Sequence, residues 1–166
     1  MKRKFDFIIW DNKDYYRDIF RFYPRQTHVH SFNDVPPKSW KEVYKVYYSW
    51  AIIRQYYDEN GKIFSSAKLF NMDFDECSII PDLYGIINYV DETEDIYDMP
   101  TWGQPAADWT IQKIKISENN IYYQFYVFNN VTNQGYRFRL DSDEKDLFCK
   151  YLDSINEYAL AHGEAI

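Results

Sequence analysis

Trp109-Thr110-Ile111-Gln112-Lys113-Ile114-Lys115-Ile116-Ser117, then Glu118-Asn119-Asn120, then Ile121-Tyr122-Tyr123-Gln124-Phe125-Tyr126-Val127-Phe128-Asn129, is the stretch that decides the fold class. Both flanking runs are rich in β-branched and aromatic residues, and a short polar break separates them. They read as two antiparallel strands, 109–117 and 121–129. A third strand, 136–140, follows a loop that ends at Gly135. In the first strand Trp109 and Ile111 keep one phase and Ile114 and Ile116 the other, which places a bulge near Gln112-Lys113. Asp141-Ser142-Asp143-Glu144 then opens a helix over 142–162, with a carboxylate three residues past the cap. Leu147, Phe148, Tyr151, Leu152, Ile155, Tyr158 and Ala159 give it one apolar face, and Gly163 stops it. A helix of that kind has to bury its stripe on a sheet. The expected class is therefore α+β: an antiparallel sheet of three or more strands covered by the C-terminal helix, with additional N-terminal helices.

Toward the N-terminus, Phe5 to Trp10 reads as a short strand, and Asp11 as the cap of a helix through Tyr15, Tyr16, Ile19, Phe20 and Tyr23 that Pro24 ends. Ser39-Trp40-Lys41-Glu42 has capping-box spacing, and Trp40, Val43, Tyr44, Tyr47, Trp50, Ala51 and Tyr57 keep helical period, so a helix is expected over 39–57. The aromatic and β-branched content of 47–57, followed by Asp58-Glu59-Asn60-Gly61, also fits a strand entering a hairpin, and Gly61 reverses the backbone in either case. A further helix starts near Pro81 and passes Leu83, Ile86, Ile87 and Val90. From Asp91 to Asp108 no period holds, and Met99-Pro100, Gly103 and Pro105 mark an exposed loop.

Length and composition agree with one domain over 1–166: of 166 residues 46% are hydrophobic, enough for a core, with 17 Tyr, 12 Phe and 5 Trp. A Tyr ring packs at one end and stays wet at the other, so this excess suits half-buried positions and recognition surfaces alike. Cys77 and Cys149 sit in no CxxC or Cys/His pattern and read as small apolar residues. The basic start precedes a short apolar run broken by Asp6, unlike a secretory signal, and no stretch is apolar enough to span a membrane. The expected location is cytoplasmic.

Charge is unevenly spread. Residues 1–68 carry a net +5 and residues 69–166 a net −12. No Lys, Arg or His occurs from Leu69 to Gln112, a stretch that holds ten carboxylates. Such a run either is neutralised by the basic N-terminal half folding over it or faces water as a negative patch that steers a basic partner and repels nucleic acid.

Candidate chemistry is sparse. His28 and His30 lie on the same side of an extended segment, and with Asp73, Asp75 and Glu76 they define the alternative reading, a metal-dependent hydrolase or nuclease. Asp143-Glu144-Lys145 has the letters of a nuclease site, but helix capping accounts for it. There is no P-loop, GxGxxG or GxSxG, so no cofactor is expected. Tyr122, Tyr126 and Phe128 beside Arg137 and Arg139 resemble the base-stacking face of some RNA-binding sheets; cation–π pairing between neighbouring strands explains them more simply, and the acidic total argues against direct nucleic-acid binding.

The expected function is that of a small acidic, non-enzymatic binding or inhibitor protein that blocks a basic partner. Asp91, Glu92, Glu94, Asp95 and Asp98 supply steering, and Tyr97 and Trp102 act as anchors. In size and composition the chain resembles phage-encoded, nucleic-acid-mimicking inhibitors of bacterial defence nucleases (anti-CRISPR-like proteins) and toxin immunity proteins. That resemblance implies a nucleic-acid-binding effector or a toxin as partner.

Overall fold

A computed structural model of the protein describes residues 5–23, 28–31, 43–45, 48–75, 79–99, 107–129, 131–162 and 164–165. In chain order the elements are β1 (Phe5–Asn12), β2 (Tyr16–Tyr23), β3 (His28–Ser31), β4 (Val43–Lys45), β5 (Tyr48–Tyr57), β6 (Ile63–Asp75), α1 (Ile79–Thr93), β7 (Tyr97–Met99), β8 (Ala107–Ser117), β9 (Asn120–Asn129), β10 (Gln134–Asp141), α2 (Ser142–His162) and β11 (Glu164–Ala165). Two four-stranded sheets, ordered β1-β2-β5-β6 and β10-β9-β8-β7, pair antiparallel throughout, and a small third sheet is ordered β11-β3-β4. Each large sheet is followed in the chain by one helix.

The expected α+β class with additional N-terminal helices is overturned: the protein is mostly β, and among the described residues only α1 and α2 are helical. The segment 11–23 is the end of β1, the turn and the second strand of the β1–β2 hairpin. Within β2, Asp18, Phe20 and Phe22 are buried on one face, and Ile19 is buried on the other. Because apolar residues occupy both faces, their spacing imitates a helical stripe, and a buried Asp18 hides the strand alternation. Of the two readings of 47–57, the strand entering a hairpin holds, since β5 pairs antiparallel with β6, and its helical period has the same origin. Trp50 and Ile52 face one way and Ala51 and Ile53 the other, all buried, as in a central strand between β2 and β6. The capping-box residues 39–42 lie outside the described residues.

Gly61 does reverse the backbone, at φ 76°. There Asp58 closes the turn, its carboxylate accepting the N–H groups of Asn60 and Lys62 at 2.8 and 2.9 Å. The expected bulge at Gln112-Lys113 is absent: β8 and β9 keep register from Ala107↔Asn129 to Lys115↔Ile121, and the shift falls between Lys115 and Ser117. Trp109, Ile111 and Lys113 therefore share the inward phase. Asp91 to Thr93 belong to the last turn of α1, and Tyr97–Met99 form an edge strand on β8, so the expected exposed loop is shorter than its sequence limits.

α2 begins with a reciprocal cap: the Asp141 carboxylate accepts the Glu144 N–H at 2.8 Å, and the Glu144 carboxylate accepts the Asp141 N–H at 3.1 Å. One hydrophobic cluster runs through both large sheets and both helices. Phe20 stands at its centre, with ring centroids 5.6 Å from Trp50 in its own sheet and 6.2, 5.3 and 5.7 Å from Trp109, Phe138 and Phe148.

Candidate functional site

The cation-free stretch enters α1, whose last turn contains no basic residue to meet the negative end of the helix dipole. β8 supplies one instead. Lys113, the residue that breaks the apolar inward phase of that strand, donates to the Asp91 backbone carbonyl at 3.0 Å and pairs with the Asp91 carboxylate at 3.1 Å. Lys145 of α2 approaches the same carboxylate at 3.5 Å while holding Asp146 at 2.8 Å, and the Tyr123 hydroxyl donates a short hydrogen bond to it. Partial burial pushes the Asp91 carboxyl up, but the bonds from Tyr123 and Lys113 and the charge of Lys145 outweigh it and hold its pKa below the usual value. Burial, reinforced by the bond to Asp91, drives the Tyr123 phenol up. For this residue the counter-charges come from two lysines of the acidic half, not from the basic N-terminal half.

Beyond Asp91 the chain turns sharply. Glu94 takes a left-handed conformation, φ 61°, and its N–H bonds the Val90 carbonyl at 2.9 Å, closing the helix where glycine is the usual residue. Its carboxylate reaches Lys113 only at 3.7 Å. Glu92, Asp95 and Asp98 are exposed and form no ion pair among the described residues; Asp95 accepts from the Tyr89 hydroxyl and Asp98 from Thr110, each at 3.3 Å. Beside Asp95 stand two exposed apolar groups that composition did not single out, Tyr89 at 49% exposure, whose hydroxyl reaches it, and its chain neighbour Ile96 at 57%. Tyr97 is half-buried and packs against the main cluster, opposite Ile111. Trp102 lies outside the described residues.

A second constellation wraps the free edge of β10. There, a cavity of about 370 Å³ is lined by Ile9, Trp10, Asp18, Arg54, Tyr136, Arg137, Phe138 and Arg139. Its floor is a buried Asp18, 1% exposed, gripped by Arg54 through two bonds of 2.8 and 3.0 Å and by the Tyr136 hydroxyl at 2.6 Å. Arg54 also lies over the Tyr16 ring, 3.9 Å from its centroid. Its bond to Asp18 raises the guanidinium pKa further, and burial followed by the Asp18 bond pushes the Tyr136 phenol well up. The floor is an Arg54–Asp18 ion pair capped by a phenol that burial and the Asp18 bond keep protonated.

A bulge shapes the wall. Ile8 pairs with Ile19 but Trp10 with Asp18, so two residues of β1 oppose one of β2, and Trp10 is brought to the Asp18 face. Arg137 and Arg139 project from the other face of β10, over the rings of Tyr126 and Tyr122 at 5.4 and 4.7 Å. The cation–π pairing expected from the sequence is present. Neither guanidinium has a carboxylate within ion-pair distance among the described residues.

The side chains of His28, His30, Asp73 and Asp75, and all of Glu76, lie outside the described residues. Among the described residues no group of three or more His, Cys, Asp and Glu side chains is placed to hold a metal ion. Of the letters that resemble a nuclease motif, Glu144 caps α2 and Lys145 serves Asp91 and Asp146. Cys149 is buried, and burial pushes its thiol up to about 11, away from nucleophilic use.

Fold and surfaces together define a two-sheet β protein with a helix after each sheet, bearing an acidic, apolar helix end and an arginine-lined cavity. No protein-family model matches the chain, and no curated protein matches its sequence. A similar solved structure is that of the plant transcriptional regulator PBF-2, aligned over 97% of this chain and 85% of that chain at 11% identity, with a TM-score of 0.41. A likeness of that degree assigns no role. None of the helices among the described residues is long and apolar enough to cross a membrane.

Proposed function

We propose that the protein is a non-enzymatic binding protein that docks on a basic surface of a partner protein through the end of α1 and the turn into β7. The observation that carries this reading is the exposure of Tyr89 and Ile96 among Glu92, Asp95 and Asp98, carboxylates that no described cation neutralises. Exposed apolar groups beside like charges combine the two parts of a docking surface: anchors that gain by leaving water, and a field that speeds encounter. Asp91 has a different task, holding α1 to β8 and α2. If the partner is an effector or toxin that grips nucleic acid, these carboxylates stand where phosphates bind. Size and composition favour that class of partner, with inhibition as the outcome.

The test is a neutral variant carrying Glu92→Gln, Glu94→Gln, Asp95→Asn and Asp98→Asn with Asp91 retained, compared with the parent in capture from a host lysate. Captures run at about 0.05 M and about 0.5 M salt, which bracket strong and weak screening. A protein retained by the parent at low salt, and lost both at high salt and with the variant, supports the surface. Equal retention by parent and variant rejects it.

A further inference from the structure

We propose that the free edge of β10 takes up an extended, acidic peptide as an added strand, its carboxylates meeting Arg137 and Arg139 and its alternate apolar residues facing the cavity beside Trp10. β10 is the end strand of its sheet, and no strand among the described residues pairs with its far side. Such an edge offers unpaired backbone N–H and C=O groups to a chain that lies along it. At one end α2 fills the gap between β1 and β10: Phe7 packs on Phe148 and Tyr151, with ring centroids 5.1 and 5.2 Å apart, and the Tyr151 hydroxyl donates to the Phe5 carbonyl at 2.7 Å. Farther along β1 the cavity of about 370 Å³ opens at Ile9 and Trp10 and reaches β10 from Tyr136 to Arg139. The strand edge is open there.

The two faces of β10 differ, and the difference specifies the peptide. On the outer face Arg137 and Arg139 lie over Tyr126 and Tyr122, exposed and with no carboxylate within ion-pair distance among the described residues. Asp141, next in that phase, is engaged in capping α2. On the opposite face Tyr136 holds Asp18, which Arg54 already neutralises, and Phe138 enters the core. Residues directly opposite one another in paired strands share a face, so every second residue of an added strand stands beside a guanidinium and those between face the cavity. Carboxylates suit the first set. Apolar side chains suit the second, since the Trp10 indole, 54% exposed and turned to this side by the bulge in β1, gains by leaving water. A second copy of the chain fits poorly: two β10 strands pairing antiparallel about Phe138 set Arg137 of each copy opposite Arg139 of the other, and like charges so placed weaken a ladder. The arginines thus refuse self-pairing and admit an acidic strand.

The experiment titrates the full chain with an end-capped peptide of eight residues, the length of β10, in which glutamate alternates with valine, followed by calorimetry and by amide hydrogen exchange. The expected result is saturable one-to-one binding that slows exchange in β10. The same peptide with lysine in place of glutamate should bind about tenfold more weakly or worse, and the Arg137→Glu/Arg139→Glu variant should reverse that preference. Both arginines are exposed and outside the core, so the variant should keep the parent's circular dichroism. N-methylation of every second peptide amide removes the donors of one peptide edge and leaves the side chains in place. One of the two alternate methylated sets should abolish binding to the parent, and the other should be tolerated. Four outcomes overturn the proposal: no saturable binding of the glutamate peptide, equal binding of the glutamate and lysine peptides to the parent, undiminished binding of both methylated sets, or protection confined to elements other than β10. None of them involves the carboxylates at the end of α1, so this edge is tested apart from the docking surface there.

Discussion

Asp91 shows how one side chain is withdrawn from an acidic surface to serve the fold. It accepts from Tyr123, pairs with Lys113 and Lys145, and its own carbonyl accepts from Lys113. Asp91→Asn should lower stability at neutral pH by about 1–2 kcal/mol, the range for a partly buried, charge-assisted contact still reached by solvent. The pH dependence has a definite sign. The folded carboxyl titrates below its unfolded value, so its contribution is present above that value and lost as pH falls through the folded one. The stability gap between parent and variant, measured by urea unfolding, should stay constant from pH 7 to about 5 and close below about 4. A gap that persists at pH 2.5 would show that shape, not charge, holds α1 there. Gly135 makes a second point at this scale. A Cβ there would stand 2.6 Å from the Tyr126 hydroxyl oxygen, so the ring lies over bare backbone. Gly135→Ala should displace Tyr126, cost about 1 kcal/mol in thermal unfolding, and shift the Arg137 resonances that the ring current now perturbs.

Among the elements, α1 ends on a strained residue that a substitution can relieve. Glu94 occupies the left-handed region, which costs a non-glycine residue roughly 1–2 kcal/mol, and its distant contact with Lys113 returns little of that. Glu94→Gly should leave the melting temperature unchanged or raise it by a few degrees; a marked fall would mean that the Lys113 contact matters more than its length implies. The same element explains why the candidate surface was only half legible. The run of carboxylates without a cation is visible in one dimension, whereas the exposure of Tyr89 and Ile96 follows from where α1 stops. Strands β8 to β10 could be read because β-branched and aromatic runs are broken there by short polar segments, and helix α2 because its apolar residues make one stripe. β2 could not, and β5 only as one of two readings, since strands buried on both faces lose the alternation that marks them. Lys113, in phase with Trp109 and Ile111, looked like a bulge because its partner Asp91 lies 22 residues away in another element. The cavity was less legible still: Asp18 meets Tyr136 across 118 residues, and no local pattern records such a pairing.

For the whole molecule, the question is whether two sheets, each followed by its own helix, behave as one cooperative unit. The packing of Phe20 bears on it directly. Its ring is fully buried and touches Phe22 and Trp50 of the first sheet, Trp109 and Phe138 of the second, and Phe148 of α2. Removing it opens a cavity where the two sheets meet. Phe20→Ala should therefore cost about 3–5 kcal/mol, the range for a buried phenylalanine in a core that cannot fully collapse. In a chain of this length that corresponds to a fall in melting temperature of about 10 °C or more. Buried Trp50 and Trp109 stand on opposite sides of that junction, so tryptophan fluorescence reports on both sheets together, while far-ultraviolet dichroism follows the backbone. If the shared aromatic cluster couples the halves, both signals should move to the same lower midpoint in the variant, as in a single transition. Two separated midpoints would show each sheet and its helix unfolding alone, with Phe20 stabilising only the half that contains it.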